Sequence, residues 1–145
     1  MNSKLMKYSD SEIIEVLLNT KTIALIEASH NADKPSNRVM KYLLENDYKV
    51  YPVNNKESHG KIHGVNVFPS LEKIPCKIDM VNIFQKNDIA GQTIIKAIEL
   101  NIKYIWTQLN IFNFEAANKA LKSNHVVIMN RCTKIEHSEL IKRKT

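Results

Sequence analysis

Glycine is nearly absent from this chain, with three residues in 145. That scarcity removes the Gly-x-Gly-x-x-Gly fingerprint, whose glycines let a dinucleotide pyrophosphate approach the backbone at a strand–helix turn. Cys76 and Cys132 are the two cysteines; they supply no disulfide framework and no Cys-x-x-Cys pair for metal or redox chemistry. His30, His59, His63, His125 and His137 are scattered, and no two share a helix face at metal-ligand spacing. No apolar run approaches the roughly 20 residues that span a bilayer. The first residues, MNSKLMKYSDSEIIEV, lack the apolar core of a secretory signal. The expected compartment is therefore the cytoplasm, with no membrane partner.

What is present is an ordinary globular composition, 43% hydrophobic and 25% charged, enough for one real core at this length. The net charge of +6 comes mostly from lysine and suits an anionic ligand. A nucleic-acid partner is disfavoured, because the lysines are spread out and no basic run is interleaved with aromatics. The one local cluster, Lys142-Arg143-Lys144, falls on a C-terminal tail read as about 137–145.

With no linker or internal repeat, residues 1–145 read as a single domain. An N-terminal helix is expected over about 9–19, with Ser9 and Glu12 forming a capping box. Thr22–Ile26 is a continuous apolar run of strand length, as in a parallel strand buried on both faces. A polar loop leads to a helix at Pro35, with Ser36 read as its N-cap. Further strands are expected at 48–53, 63–68, 79–84, 104–109 and 126–129, with helices at 89–98 and 113–122. Strands alternating with helices of this length imply right-handed crossovers. The expected fold class is therefore α/β and Rossmann-like, a mostly parallel sheet of five to six strands with helices on both faces.

In such sheets ligands lie outside the C-terminal ends of the strands. After the first strand stands Glu27-Ala28-Ser29-His30, then Lys34-Pro35-Ser36-Asn37-Arg38. Small residues at 28 and 29 admit a phosphate to the backbone, a helix start presents N–H groups, and Lys34 and Arg38 add positive charge. His30 is a candidate donor to a ligand oxygen, against the alternative of a solvated loop histidine. After the second strand comes Val53-Asn54, where an NAD-binding fold carries an acid for the ribose. Asn54 and the missing glycine fingerprint both count against NAD.

Several blocks of the chain occur together in a known family: Ala28-Ser29, Lys34-Pro35-Ser36 before Arg38-Val39, and Tyr51-Pro52-Val53-Asn54. Phe68-Pro69-Ser70-Leu71, Asp79-Met80-Val81 with Phe84, Trp106-Thr107-Gln108-Leu109 and Arg131-Cys132 continue the pattern. From about Lys21 to Glu136 the chain resembles the small CoA-binding proteins, stand-alone relatives of the CoA-binding domain in the succinyl-CoA synthetase α-subunit. The resemblance implies coenzyme A or an acyl-CoA as the cofactor, lying across the strand ends. Its phosphates would sit at Ala28, Ser29 and the Ser36 helix start, with Lys34 and Arg38 as charge partners. Adenosine would lie by Val53 and Asn54, and pantetheine would pass Phe84 and Gln85.

The chain departs from that family at four positions. Asn110 and Asn124 replace glycines, and asparagine tolerates the left-handed backbone. Lys34 replaces arginine and keeps the charge without the planar fork. Glu27 replaces the glycine before Ala-Ser, which is repulsive to a pyrophosphate unless the carboxylate turns away or pairs with Lys34 or Arg38.

Cys132 and Trp106 read as packed core residues, and Asp79 as the start of its strand. No nucleophile, base and orienting group combine into a catalytic set. The leading function is accordingly a non-catalytic CoA or acyl-CoA carrier, sensor or regulatory module. A nucleotide (NAD(P))-dependent enzyme, or an interaction protein with a vestigial pocket, stand as alternatives. Protein partners and homo-oligomers are open at this level.

Overall fold

The alternation of apolar runs and amphipathic stretches produces the expected parallel sheet. The computed structural model describes residues 6–143. Helix α1 (Asp10–Asn19) is followed by β1 (Thr22–Ile26), α2 (Pro35–Glu45) and β2 (Lys49–Val53). A small hairpin, β3 (Lys61–Ile62) and β4 (Val65–Asn66), and a 3-10 turn at Leu71–Lys73 lead to β5 (Met80–Ile83). Then come α3 (Asn87–Glu99), β6 (Tyr104–Thr107), α4 (Phe114–Lys122), β7 (Val126–Ile128) and α5 (Thr133–His137). The main sheet has five strands in the order β2-β1-β5-β6-β7, all parallel.

Both faces of the sheet are covered, and the period of two decides which core each strand residue joins. Ile23 and Leu25 point with Met80, Tyr104, Trp106 and Ile128 toward α1 and α2, whose Leu17, Met40 and Leu43 pack there. Ala24, Ile26, Val81, Ile83, Ile105 and Val127 point the other way, onto Ile94 of α3 and the alanines of α4. This explains why the strands read as unbroken apolar runs. Trp106 is fully buried, and its indole N–H donates to the Arg131 carbonyl at 2.8 Å. The capping box forms as expected, with Ser9 accepting from the Glu12 N–H at 3.2 Å. Asp79 pins the start of β1 by accepting from the N–H groups of Lys21 and Thr22.

Three expectations are corrected. The run 63–68 is no strand of the main sheet. His63 and Gly64 take positive φ values of 48° and 82°, and the chain folds back there as the β3–β4 hairpin. Among the described residues of this run, Phe68 alone pairs with the main sheet, as a single parallel bridge to Val53. The N-cap of α2 is Lys34 rather than Ser36, because Pro35, with its fixed φ and missing N–H, takes the first helical position. The tail is also different: Ser138–Lys142 continue α5 as a π-helical turn, and Leu140 and Ile141 pack against the core. Lys144 lies outside the described residues.

His137 explains why that C-terminal segment is held. It is buried, its Nδ1 is 2.8 Å from the Tyr42 hydroxyl, and Tyr42 and Tyr48 meet its ring edge-on. Tyr48, pushed up to about 12 by burial and then by Tyr42, stays protonated and donates to the Leu17 carbonyl. Burial holds the His137 imidazole below its ordinary range, with Lys142 adding repulsion. The unfolded chain therefore takes up this proton first. The stability that neutral His137 contributes is complete above the ordinary histidine value of about 6.5 and is lost as the pH falls below it. Urea melts should show a falling midpoint between about pH 7.5 and pH 5, and His137→Gln should flatten the fall. An unchanged pH slope in the variant would assign the effect elsewhere.

Candidate functional site

The strand order reverses direction at β1, where the chain first runs outward to β2 and then returns on the other side to β5. The crevice outside the C-terminal ends of β1 and β5 is the switch point of the sheet. There the backbone turns sharply: the N–H groups of Glu27 and Ala28 both donate to the Val53 carbonyl, at 2.9 and 3.0 Å. Two bonds to one acceptor require Glu27 to adopt a left-handed backbone, with φ at 71°. Glycine enters that region without penalty, whereas a residue with a side chain does not.

Side chains then lock the loop. Asn54 is buried; its Nδ2 donates to the Ala28 carbonyl at 2.6 Å and its Oδ1 accepts from the N–H groups of Lys56 and Glu57. Asn37, also buried, donates from Nδ2 to the Ser29 carbonyl at 2.8 Å, while its Oδ1 meets His63 Nε2 at 2.9 Å. Ser29 Oγ accepts from the Asn31 N–H, and Asn31 Oδ1 accepts from the Asp33 N–H. These bonds shape the β1–α2 loop before any ligand arrives.

Two cavities flank the turn and share Glu27 and Asn54 in their walls. The larger, about 410 Å³, holds Ala28, Ser29, Lys34, Ser36, Phe84 and Gln108 in its lining. The smaller, about 240 Å³, is lined by Val53, Gln85 and Lys96 among others. Gln85 thus shares a cavity with Val53, and Phe84 lies in the other one. His30, Asn37 and Arg38 line neither. His30 stacks on His59 at 5.1 Å, and Arg38, on the exposed face of α2, donates from Nη1 to the Asp33 carbonyl. A further cavity of about 640 Å³ opens at the opposite end of the sheet, beside Lys77, Asp79 and Lys103.

The charge in the crevice differs from that of the chain. Glu27, Glu57 and Glu72 line it against Lys34 and Lys96. Lys96 is already paired, 3.5 Å from Glu72 and 3.2 Å from Glu99. Glu27 is half-buried, and the ion pairs of the described residues include neither Lys34 nor Arg38. The pairing that would neutralise Glu27 is absent among them.

Gln108 lines the larger cavity, a placement that sequence reasoning missed. It is 8% exposed, while its Oε1 is itself buried and has no hydrogen-bond partner. A buried, unpartnered acceptor is costly unless a ligand or water donates to it. Its signal was its place directly after β6, where strand-end chemistry collects. Cys132 is buried in the core, and no cysteine or histidine lines either cavity. Among the described residues no group of three or more His, Cys, Asp or Glu can hold a metal ion. No helix among them is long and apolar enough to cross a membrane.

These features define a Rossmann-like α/β domain with a preformed crevice at its switch point. Residues 21–138 match the CoA binding domain, and the chain belongs to that family. It is 30% identical over 130 residues to the uncharacterized protein YneT of Bacillus subtilis, covering 90% of this chain and 95% of that one. It is 33% identical over 92 residues to the ADP-forming acetate–CoA ligase II α-subunit of Pyrococcus furiosus, covering 63% of this chain but 20% of that subunit. Among solved structures, a hypothetical protein from Pyrococcus horikoshii OT3 superimposes with a TM-score of 0.89 at 37% identity, covering 97% of this chain and 99% of that one.

The left-handed Glu27 makes a stability prediction independent of any ligand. Glu27→Gly should raise stability by about 0.5 to 1 kcal/mol, the relief of the backbone penalty less the added chain entropy of glycine. The measurement is the urea midpoint at unchanged slope; a lower midpoint would mean that the carboxylate stabilises the fold.

Proposed function

We propose that this chain binds coenzyme A or an acyl-CoA across the ends of β1, β2, β5 and β6, as a non-catalytic carrier, sensor or regulatory module. One observation carries the reading: in a member of the CoA binding domain family, two cavities meet at the β1–α2 turn. The pyrophosphate is assigned to Ala28, Ser29 and the start of α2, where N–H groups lack intrahelical partners and Lys34 supplies charge. The adenosine is assigned to the smaller cavity beside Val53, Asn54 and Gln85. Pantetheine is assigned to the larger one, past Phe84 and Gln108. The fit between these residues and the ligand lies in the Lys34 ammonium and the start of α2 beside the small residues Ala28 and Ser29 in one cavity wall.

Asn37 and Asn54 act in this reading through the loop they hold, since their polar atoms are engaged within the protein. An NAD-type contact from residue 54 to a ribose diol is disfavoured for the same reason. The lone carboxylate of Glu27 favours a second reading, an interaction protein whose pocket no longer takes its ligand.

Calorimetric titration in magnesium-containing buffer separates these readings. Wild type should bind CoA in the micromolar range and ignore NAD, and Lys34→Ala should weaken CoA about ten-fold by loss of a charge-assisted contact. Binding of NAD without CoA would overturn the assignment. Binding by Glu27→Gly alone would move the protein to the second reading.

A further inference from the structure

The wall of the larger cavity changes character along the sheet. Its charged members, Glu27, Lys34 and Glu57, all follow β1 or β2. Its large apolar members, Phe84, Leu109 and Ile111, all follow β5 or β6, on the other side of β1 in the strand order. Phe84 and Ile111 are partly buried, each packed against one of the two cores. Leu109 is left 46% exposed. The turn that carries it is fixed on both sides: the Ile111 N–H donates to the Gln108 carbonyl at 3.1 Å, and the Thr107 hydroxyl donates to the Ile111 carbonyl at 2.8 Å. Asn110, with φ at 67°, donates its N–H to Asn130 Oδ1. Leu109 is thus held at the cavity wall rather than drawn into the core, with apolar surface that a ligand can still remove from water. Among the described residues that line the cavity, the one cation is Lys34, at the opposite side from this apolar wall.

Resting on the CoA reading above, we propose that the form of CoA selected here is the thioester of a short, uncharged, apolar acyl group. Its chain lies against Phe84, Leu109 and Ile111, and Leu109 sets the preference. A pyrophosphate at Lys34 and the β1–α2 turn sends the far end of pantetheine toward β5 and β6, where this wall stands. Each methylene covered there leaves water, so affinity rises as the acyl chain lengthens from two carbons. An acyl group that ends in a carboxylate meets the reverse: it enters an apolar wall with no counter-charge, or turns back toward Glu27 and Glu57. Free CoA leaves the wall uncovered. The site therefore grades CoA species by the apolar character of what the thiol carries, which is the discrimination a sensor or carrier needs.

The test is calorimetric titration of CoA, acetyl-CoA, butyryl-CoA and succinyl-CoA into wild type, Leu109→Ser and Leu109→Met. Wild type should bind butyryl-CoA about ten-fold more tightly than acetyl-CoA, the gain from two buried methylenes, and succinyl-CoA more weakly than either. Leu109→Ser should shrink the ratio of butyryl to acetyl affinity to about three-fold, and Leu109→Met, which keeps the apolar volume, should retain the wild-type order. Equal wild-type affinity for free CoA and all three thioesters would overturn the apolar acyl site and leave the CoA reading standing. Tightest binding of succinyl-CoA would also overturn it, by revealing a counter-charge at the thiol end. A wild-type ratio kept in Leu109→Ser would overturn the role of Leu109 by placing the acyl chain elsewhere. Absence of binding by free CoA and every thioester would defeat the CoA reading and this inference with it.

Discussion

The Val53 carbonyl holds the site together. By accepting the N–H groups of both Glu27 and Ala28, it ends β1 abruptly and ties that end to the last residue of β2. The turn sets where α2 begins, and the start of α2 sets where Lys34 and Ser36 stand relative to the crevice. Asn54 reinforces the junction from below, donating to the Ala28 carbonyl while it collects two N–H groups of the following loop. Loss of these bonds would leave buried polar groups unpaired, which is why a loop of polar residues behaves as part of the framework.

The near absence of glycine makes the same geometry more demanding. Left-handed backbone occurs at Asp47, Asn101, Asn110, Asn124 and Asn130 as well as at Glu27. Asparagine and aspartate enter that region at modest cost because their short side chains can bond locally. Asn130, for example, also accepts the Asn110 N–H at 2.7 Å through its Oδ1. Glu27 has no such compensation, so the strain at this one turn falls beside the crevice. Gly91 illustrates the opposite need: it lies against the Asn113 side chain, which caps α4, and a Cβ there would collide with it.

The electrostatics of the crevice are local. A net charge of +6 describes the whole surface, yet Lys96 is engaged by Glu72 and Glu99, and Arg38 is turned to solvent. The Glu72 carboxyl is held below its ordinary range, first by a hydrogen bond from its own backbone, which outweighs the opposing effect of burial, and further by Ser70 and Lys96. Positive charge facing the larger cavity is thereby reduced to Lys34, and the character of the site follows from three or four side chains.

The sequence by itself determined the layered α/β fold and the ends of most strands and helices. Those features follow from local patterns: apolar runs of strand length, four-residue recurrence in helices, and the Ser9 and Asn113 caps. The left-handed tolerance expected of Asn110 and Asn124 was legible for the same reason, since both have positive φ. Tertiary structure decided what depends on direction and distance. The run 63–68 has strand composition, but a turn at His63 and Gly64 folds it back as a hairpin. Residues 138–142 look like a charged tail until Leu140 and Ile141 find the core beside His137. Arg38 and Lys34 carry the same charge four residues apart, yet the Arg38 guanidinium is engaged by the Asp33 carbonyl outside the cavity, whereas Lys34, at the extended N-cap of α2, stands in the cavity wall. Gln108 and Glu27 gain their meaning only in space, because an unpartnered acceptor or an uncompensated carboxylate is defined by neighbours that lie far away along the chain.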